Sequence, residues 1–314
     1  MTECTKIIYL MGTKISLYIK GNDAEGLAKK AEAMLIHYNE VFSANSDNSQ
    51  LALLKKTAAI APQKVDEELY ELIKIGKKHS LEEDTSLNIA IGPLIKLWRV
   101  GFKEAQVPEK EAIENVLELL KPEHIQLDDK EKTIHLLKKG MEIDLGAIAK
   151  GYFADKVMEF FKEHGAVSAM VDLGGNVLVF GDSPTKEGDW KVGIQNPFLP
   201  RGNVVALVKI RNQSVVTSGI YERVLEWEGS KYHHIFNSKT GYPIESNLAS
   251  LTVVADSSLD CDIFTTELFG LDAASVIRRV NRMSGMGAVV ITLDGELAYT
   301  DNLRGKLFYT APGQ

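Results

Sequence analysis

The sequence predicts an α+β fold with mixed or antiparallel sheets and flanking helices, and three observations carry that expectation. Helical periodicity marks the first half of the chain, while short strand-like runs crowd the second. Two pairs of strand-like runs flank turn-forming residues, as hairpins do. No Gly-x-Gly-x-x-Gly follows a strand, so the doubly wound dinucleotide fold lacks its fingerprint and dehydrogenase chemistry drops out. At 314 residues there is length for one large domain or two. No fixed-period repeat, low-complexity tract or clear linker divides the chain, so residues 1–314 are read as one domain.

Taken in order, residues 7–19 alternate like a single strand and carry Met11-Gly12-Thr13. Residues 23–41 are helical, with Ala28, Ala31, Met34, Leu35 and Tyr38 on one face. Residues 50–56, 67–82 and 109–120 form further helices, the last just after Pro108. Residues 124–127 and 133–137 flank Asp128-Asp-Lys-Glu-Lys132 as a hairpin. A short apolar stretch ends at Asp144-Leu145-Gly146. A helix follows, patterned by Ile148, Ala149, Tyr152, Phe153, Val157, Phe160 and Phe161. Strands at 167–172 and 177–180 bracket Gly174-Gly175-Asn176. Residues 204–210, 214–217, 224–227 and 249–254 are strands, and 182–189 and 196–203 are loops. Residues 273–283 are helical, and 288–292 with 297–300 flank Leu293-Asp-Gly-Glu296 as a second hairpin.

Three segments carry chemistry. Asp262 and Thr266 lie four apart, so on a helix they share a face. Both offer hard oxygen ligands, which suit magnesium. Ser257 followed by Asp260 resembles a capping box, which starts the helix there. Such a pair standing alone is more often a solvated face. In the second segment, Asp144-Leu145-Gly146 opens a helix whose unpaired N–H groups suit an anion. Lys150 sits in its first turn, against the dipole's preference for acids, a placement that serves a phosphate. An ordinary strand-to-helix turn with an exposed lysine reads the same way. The third segment is Tyr232-His233-His234-Ile235, leading into Lys239-Thr-Gly-Tyr-Pro243, a turn by composition. Of two adjacent strand histidines, one points inward and one outward. An unshifted imidazole titrates near pH ~6.5, which fits a general base.

Together these segments resemble the ApbE family, the FAD:protein FMN transferases. Met11-Gly12-Thr13, Val171-Asp-Leu-Gly174-Gly175-Asn176 and Thr217-Ser-Gly219-Ile-Tyr-Glu-Arg223 agree in order and spacing. Phe42-Ser43 with Ser49, and Ile91-Gly92-Pro93-Leu94-Ile-Lys-Leu-Trp98, match more loosely. The resemblance runs from about Ile8 to Tyr299.

The resemblance implies an ApbE-like fold and an enzyme that binds FAD. It uses Mg2+ to cleave the pyrophosphate and attaches FMN through a phosphoester to a Thr or Ser of an acceptor flavoprotein, with AMP leaving. Asp262 and Thr266 then supply side-chain metal ligands and Ala147 its backbone carbonyl. Met11, Asp144, Lys150 and Ile235 match FAD-contacting positions. Asn45, Ser86, Leu87, Asn88 and Arg223 join that cofactor-binding set. Gly174, Gly175 and Asn176 let backbone approach the cofactor, or simply form a turn between strands. His234 matches the functional histidine, the base for the acceptor hydroxyl, a task Asp262 can share. These residues come from loops and element ends far apart in sequence, so the site is expected in a cleft between two halves. An FAD pyrophosphatase giving FMN and AMP would use the same residues, and a non-catalytic FAD-binding protein would need neither metal nor base.

Three positions depart from the family pattern. Asn45 stands where an aromatic residue commonly stacks on the flavin. Leu87-Asn88 replace the usual Phe-Asp. Glu267 follows the metal Thr where a small residue is usual; about 100° around the helix from Thr266, it is expected outside the metal shell.

Composition agrees. The net charge of −7, with basic residues scattered, excludes non-specific nucleic-acid binding. Two cysteines, Cys4 and Cys261, make no disulfide framework and no zinc signature. Cys261 reads as a small buried residue. No run reaches the ~18 apolar residues of a transmembrane segment. The N-terminus lacks a signal peptide and Cys4 lacks a lipoprotein context, so the chain as it stands is expected in the cytoplasm. A trimmed form of an exported protein is the rival reading.

Overall fold

The structure, a computed structural model, describes residues 1–44, 46, 48–185 and 187–310. Its elements in chain order are β1 (Thr2–Leu10), β2 (Thr13–Gly21), α1 (Ala24–Val41), α2 (Gln50–Lys56), β3 (Gln63–Lys64), α3 (Glu67–Ser80), α4 (Gly92–Trp98), α5 (Lys110–Leu117), β4 (Ile125–Asp128), β5 (Thr133–Leu136), α6 (Ala149–Glu163), β6 (Ala166–Leu173), β7 (Val177–Phe180), β8 (Trp190–Gln195), β9 (Val204–Ile210), β10 (Ser214–Gly219), β11 (Val224–Trp227), β12 (Ser230–His233), β13 (Leu248–Ala255), α7 (Ser258–Glu267), α8 (Ala273–Val280), β14 (Gly287–Thr292), β15 (Leu297–Tyr299) and β16 (Leu307–Tyr309).

Eight strands make one sheet in the order β1-β2-β6-β7-β10-β13-β14-β15, every neighbour antiparallel. Strand alternation sorts its residues between two layers. In β2, Ile15, Leu17 and Ile19 face the core shared with α1, α3 and α6. Tyr18 between them faces Trp190 and the small β16-β9-β8 sheet. In β13, Leu251, Val253 and Ala255 pack beside α7 and α8, while Val254 faces the small-sheet layer. The central sheet is therefore covered by helices on one face and by strands on the other, the α+β arrangement expected. Two further antiparallel sheets, β3-β5-β4 and β11-β12, stand apart. Among the described residues no helix is long and apolar enough to cross a membrane.

The largest correction lies at the start. Residues 7–19 are two strands, with Met11 (φ 54) and Gly12 (φ 70) as a two-residue turn. Positive φ at both positions is what a tight hairpin with right-twisted arms requires. The sequence held the signal. Ile8 and Leu10 occupy even positions, and Ile15, Leu17 and Ile19 odd ones. One continuous strand cannot put both sets on one face, whereas a hairpin can. The stretch before Asp144 is also not a strand but irregular chain, held by Asp144 N–H donating to Ile89 O at 2.9 Å. Helix α4 and strands β3, β8 and β16 were not anticipated, being seven residues or fewer and too short for a clear period.

A satellite core of Leu94, Trp98, Val100, Ile113, Leu120, Leu225 and Phe236 ties α4 and α5 to the β11-β12 hairpin. Trp98 is fully buried, and its Nε1–H donates to the Gly241 carbonyl at 2.9 Å. That bond pins the Thr240-Gly241-Tyr242 turn behind the histidines. Trp98→Phe leaves this carbonyl unpaired and opens a void. The expected loss is about 2–4 kcal/mol, read as a lower urea midpoint. An unchanged midpoint would show that the turn stands without Trp98.

Candidate active site

The site is built where the first turns of α6 and α7 meet. Ser257 caps α7, its Oγ accepting from Asp260 N at 3.1 Å. Asp155 of α6 reaches the same end. Its carboxylate accepts from Ser257 Oγ at 2.8 Å, Ser258 N at 2.8 Å and Leu259 N at 2.9 Å, satisfying donors a helix start leaves open. One turn earlier on α6, Gly151 lies against the Ser258 carbonyl, where an added Cβ would sit 2.4 Å from that oxygen. This close approach lets Gly151 N–H donate to Asp262 Oδ2 at 2.5 Å.

That bond has a consequence for Ala147. In a regular helix Gly151 N–H would go to the Ala147 carbonyl. Here it goes to Asp262, which leaves the carbonyl free of its helical partner. Thr265 spends its hydroxyl on the Asp262 carbonyl at 2.9 Å, whereas Thr266 Oγ1, half-buried, has no hydrogen bond among the described residues. Asp262 is buried. Loss of water pushes its carboxyl up to about 6, against the pull of Lys150, the Gly151 N–H and the Asn176 amide. A carboxylate, a hydroxyl and a carbonyl are the hard-oxygen donors that magnesium prefers, and phosphate oxygens and water would complete its octahedron. Among the described residues no group of three or more His, Cys, Asp or Glu could hold a metal, and this set contains only one carboxylate.

The basic groups act on the same place. Lys150 acts on both Asp262 and His234, and Arg223 acts on both Asp144 and His234. Asp144 Oδ1 accepts from Gly146 N at 2.8 Å, and burial raises its carboxyl against Arg223 and Lys96. Of the two histidines, His233 is committed to structure. Its Nδ1 accepts from Ile235 N at 3.2 Å, so the proton is on Nε2, which donates to Ile244 O at 3.0 Å. Among the described residues His234 has a single long contact, Nδ1 to Arg223 O at 3.4 Å, which leaves Nε2 open. The expectation of an unshifted imidazole is corrected: burial, then Arg223, pushes His234 down to about 4. At neutral pH its ring is a neutral acceptor.

The turns of two hairpins lie side by side. Gly174 (φ 71) and Gly175 (φ 102) are the two-residue turn between β6 and β7, closed by Leu173 N–H donating to Asn176 O at 2.9 Å. A Cβ on Gly174 would meet Thr13 Oγ1 at 2.1 Å, so this turn sits beside Met11-Gly12. Gly174-Gly175 thus form the turn expected between the strands, and neither glycine carries a side chain to keep a ligand from its backbone. Asn176 nevertheless points inward: it is 1% exposed, its Oδ1 accepts from Ser258 Oγ, and its Nδ2 faces Asp262.

The side chains of Leu87 and Asn88 are committed to the protein interior. Leu87 is packed in the main core. Asn88 is buried with its amide spent on Leu120 O and Ala90 N, both at 2.8 Å. Ser86 N–H donates to Glu267 O at 3.1 Å. Ile235 packs beside the α7-α8 core. Asn45 lies outside the described residues. Cys261 is buried, and burial holds its thiol well above the usual range, so it is no nucleophile.

The family's sequence model for ApbE matches residues 11–290. The chain belongs to the ApbE family. It is 36% identical over 288 residues to an FAD:protein FMN transferase of Klebsiella pneumoniae (strain 342), covering 92% of this chain and 89% of that one. A Treponema pallidum (strain Nichols) protein of the same name is 34% identical, covering 93% and 85%. Among solved structures, the ApbE protein of Thermotoga maritima superposes with a TM-score of 0.86 at 26% identity, covering 97% and 99%.

In this ApbE chain Asp155 was missed from sequence, and Asn176 was expected only at the cofactor. Asp155 stands four residues after Gly151, an acid on the face of α6 that packs against α7, and that spacing was a usable signal. The inward role of Asn176 had none, because its partner Ser258 is 82 positions away.

Proposed function

We propose that this ApbE chain transfers FMN from FAD to a Thr or Ser hydroxyl of an acceptor flavoprotein, with residues 1–314 acting as one catalytic unit. The observation that carries the reading is the oxygen set of Asp262, Thr266 and the Ala147 carbonyl beside Lys150, Arg223 and His234. Asp262, Thr266 and Ala147 would hold Mg2+, which when bound neutralises charge on the pyrophosphate. Lys150 and Arg223 add fixed positive charge against the phosphoryl oxygens. His234 Nε2 takes the proton of the acceptor hydroxyl. The hydroxyl oxygen bonds the FMN phosphorus, and the bond from that phosphorus to the AMP oxygen breaks, so AMP leaves. In this reading Asp144, Met11 and Ile235 contact FAD.

The test is AMP release from FAD with and without Mg2+, and with and without a candidate acceptor. Acceptor-dependent AMP with FMN covalently on a Thr or Ser supports transfer. Metal-dependent free FMN that ignores acceptor makes the protein a pyrophosphatase, and bound FAD with no AMP makes it a binding protein. His234→Ala is expected to lower the transfer rate by about 10²–10⁴-fold while FAD affinity changes little. Equal losses in both would make His234 a binding residue.

A further inference from the structure

We infer that Glu267 is a positioning residue for the metal-bearing helix, an inference that rests on the metal reading above. Glu267 directly follows Thr266 at the end of α7 and is 3% exposed. A carboxylate that deep is unfavourable unless both oxygens are engaged. They are. Oε2 meets His79 Nδ1 of α3 at 3.2 Å, and Oε1 accepts from Arg279 Nη2 of α8 at 3.2 Å. The Glu267 carbonyl also accepts from Ser86 N at 3.1 Å, and Gly270 lies so near Ser86 that a Cβ there would be 2.5 Å from its Oγ. One residue therefore joins α3, α7, α8 and the segment at Ser86.

The geometry explains what this does to Thr266. Neighbours on a helix differ by about 100° in azimuth, so fixing the direction of Glu267 fixes that of Thr266. At the other end Asp155 holds Ser257, Ser258 and Leu259. Helix α7 is thus pinned at both ends by partners on different elements and cannot turn about its axis. Asp262 and Thr266 keep one spacing and one direction toward the Ala147 carbonyl. Such a pair of contacts to a buried carboxylate is a weak source of stability but a strong source of fixed geometry. His79 and Arg279 act with Glu267 as the arms of the clamp.

The experiment is Mn2+ uptake by the metal-free protein, followed through the electron paramagnetic resonance of free Mn2+. It is run on wild type, Glu267→Gln, Arg279→Met and Trp98→Phe. Circular dichroism establishes that each is folded. Glu267→Gln keeps the shape but cannot accept on both sides, and Mn2+ affinity should fall about 10-fold, the scale of a lost supporting contact at a metal site. Arg279→Met removes one arm only, remains interpretable if Glu267→Gln does not fold, and should show a smaller fall. Trp98→Phe lowers stability away from α7 and should bind Mn2+ as wild type does, which separates positioning from general weakening. Excess Mg2+ should restore turnover in Glu267→Gln. Wild-type Mn2+ affinity in folded Glu267→Gln or Arg279→Met overturns the inference. Equal losses in Trp98→Phe overturn it as well. A wild-type protein that takes up no Mn2+ overturns the metal reading instead.

Discussion

Asp262→Asn will abolish metal-dependent FAD turnover and, at the same time, make the metal-free protein more stable at neutral pH. The activity loss follows from removing the only carboxylate in the proposed oxygen set; a fall of at least about 10³-fold is expected. The stability gain follows from burial. The carboxyl of Asp262 is pushed from 3.8 to about 6 because the folded protein withdraws it from water. Between these values the folded state binds more protons than the unfolded state, so stability falls as pH rises from about 4 to about 6. At pH 7 the accumulated penalty is on the order of 3 kcal/mol, and an uncharged Asn avoids it. The Asn carbonyl can still accept the Gly151 N–H. Melting scans in chelator at pH 4 and pH 7 check this: wild type should lose ground at pH 7 relative to the variant, and the two should converge toward pH 4. A variant less stable than wild type at pH 7 would mean that the carboxylate is well solvated or well paired. Full turnover in the variant would remove Asp262 from the metal.

Gly151→Ala will unfasten α6 from α7. In an open helix this change would add up to about 1 kcal/mol of stability. Here the new Cβ would lie 2.4 Å from the Ser258 carbonyl oxygen and 2.7 Å from Leu259 Cα, both backbone atoms of α7. Backbone in a packed helix cannot swing aside as a side chain can. The helix must move as a body, which strains the Asp155 cap and lengthens the Gly151–Asp262 bond. A net loss of about 3 kcal/mol is expected in urea unfolding, at the upper end for overpacking, with metal affinity reduced roughly 10-fold. Unchanged or increased stability would show that the two helices have room between them.

Much of the fold was legible because the helices α1 and α6 carry a strong apolar period and the later hairpins carry turn residues between alternating runs. The reading failed where local pattern was short or ambiguous. Met11-Gly12 lacks the usual Asn or Asp of a tight turn, so its hairpin passed for one strand. Asn88 illustrates the limit at the site. Its departure from the family pattern was visible, but its commitment to Leu120 O and Ala90 N, which takes its amide out of the site, depended on a partner 32 positions away.

The sequence by itself determined the residue types and their order: a capped helix carrying Asp262 and Thr266, a helix start carrying Lys150, and two histidines ahead of a turn. It also placed Glu267 off the face of Thr266, since helix azimuth follows from spacing alone. Which histidine is free, and how strongly each group is shifted, only the tertiary structure decided. His233 is bound on both ring nitrogens while His234 is left open among cations, and Asp262 is raised by burial. The physical reason is that protonation and hydrogen bonding depend on what surrounds a side chain in space, whether the partner is Gly151, 111 positions from Asp262, or Arg223, 11 positions from His234. A one-dimensional pattern fixes direction along an element; desolvation and partners exist only after the elements have packed.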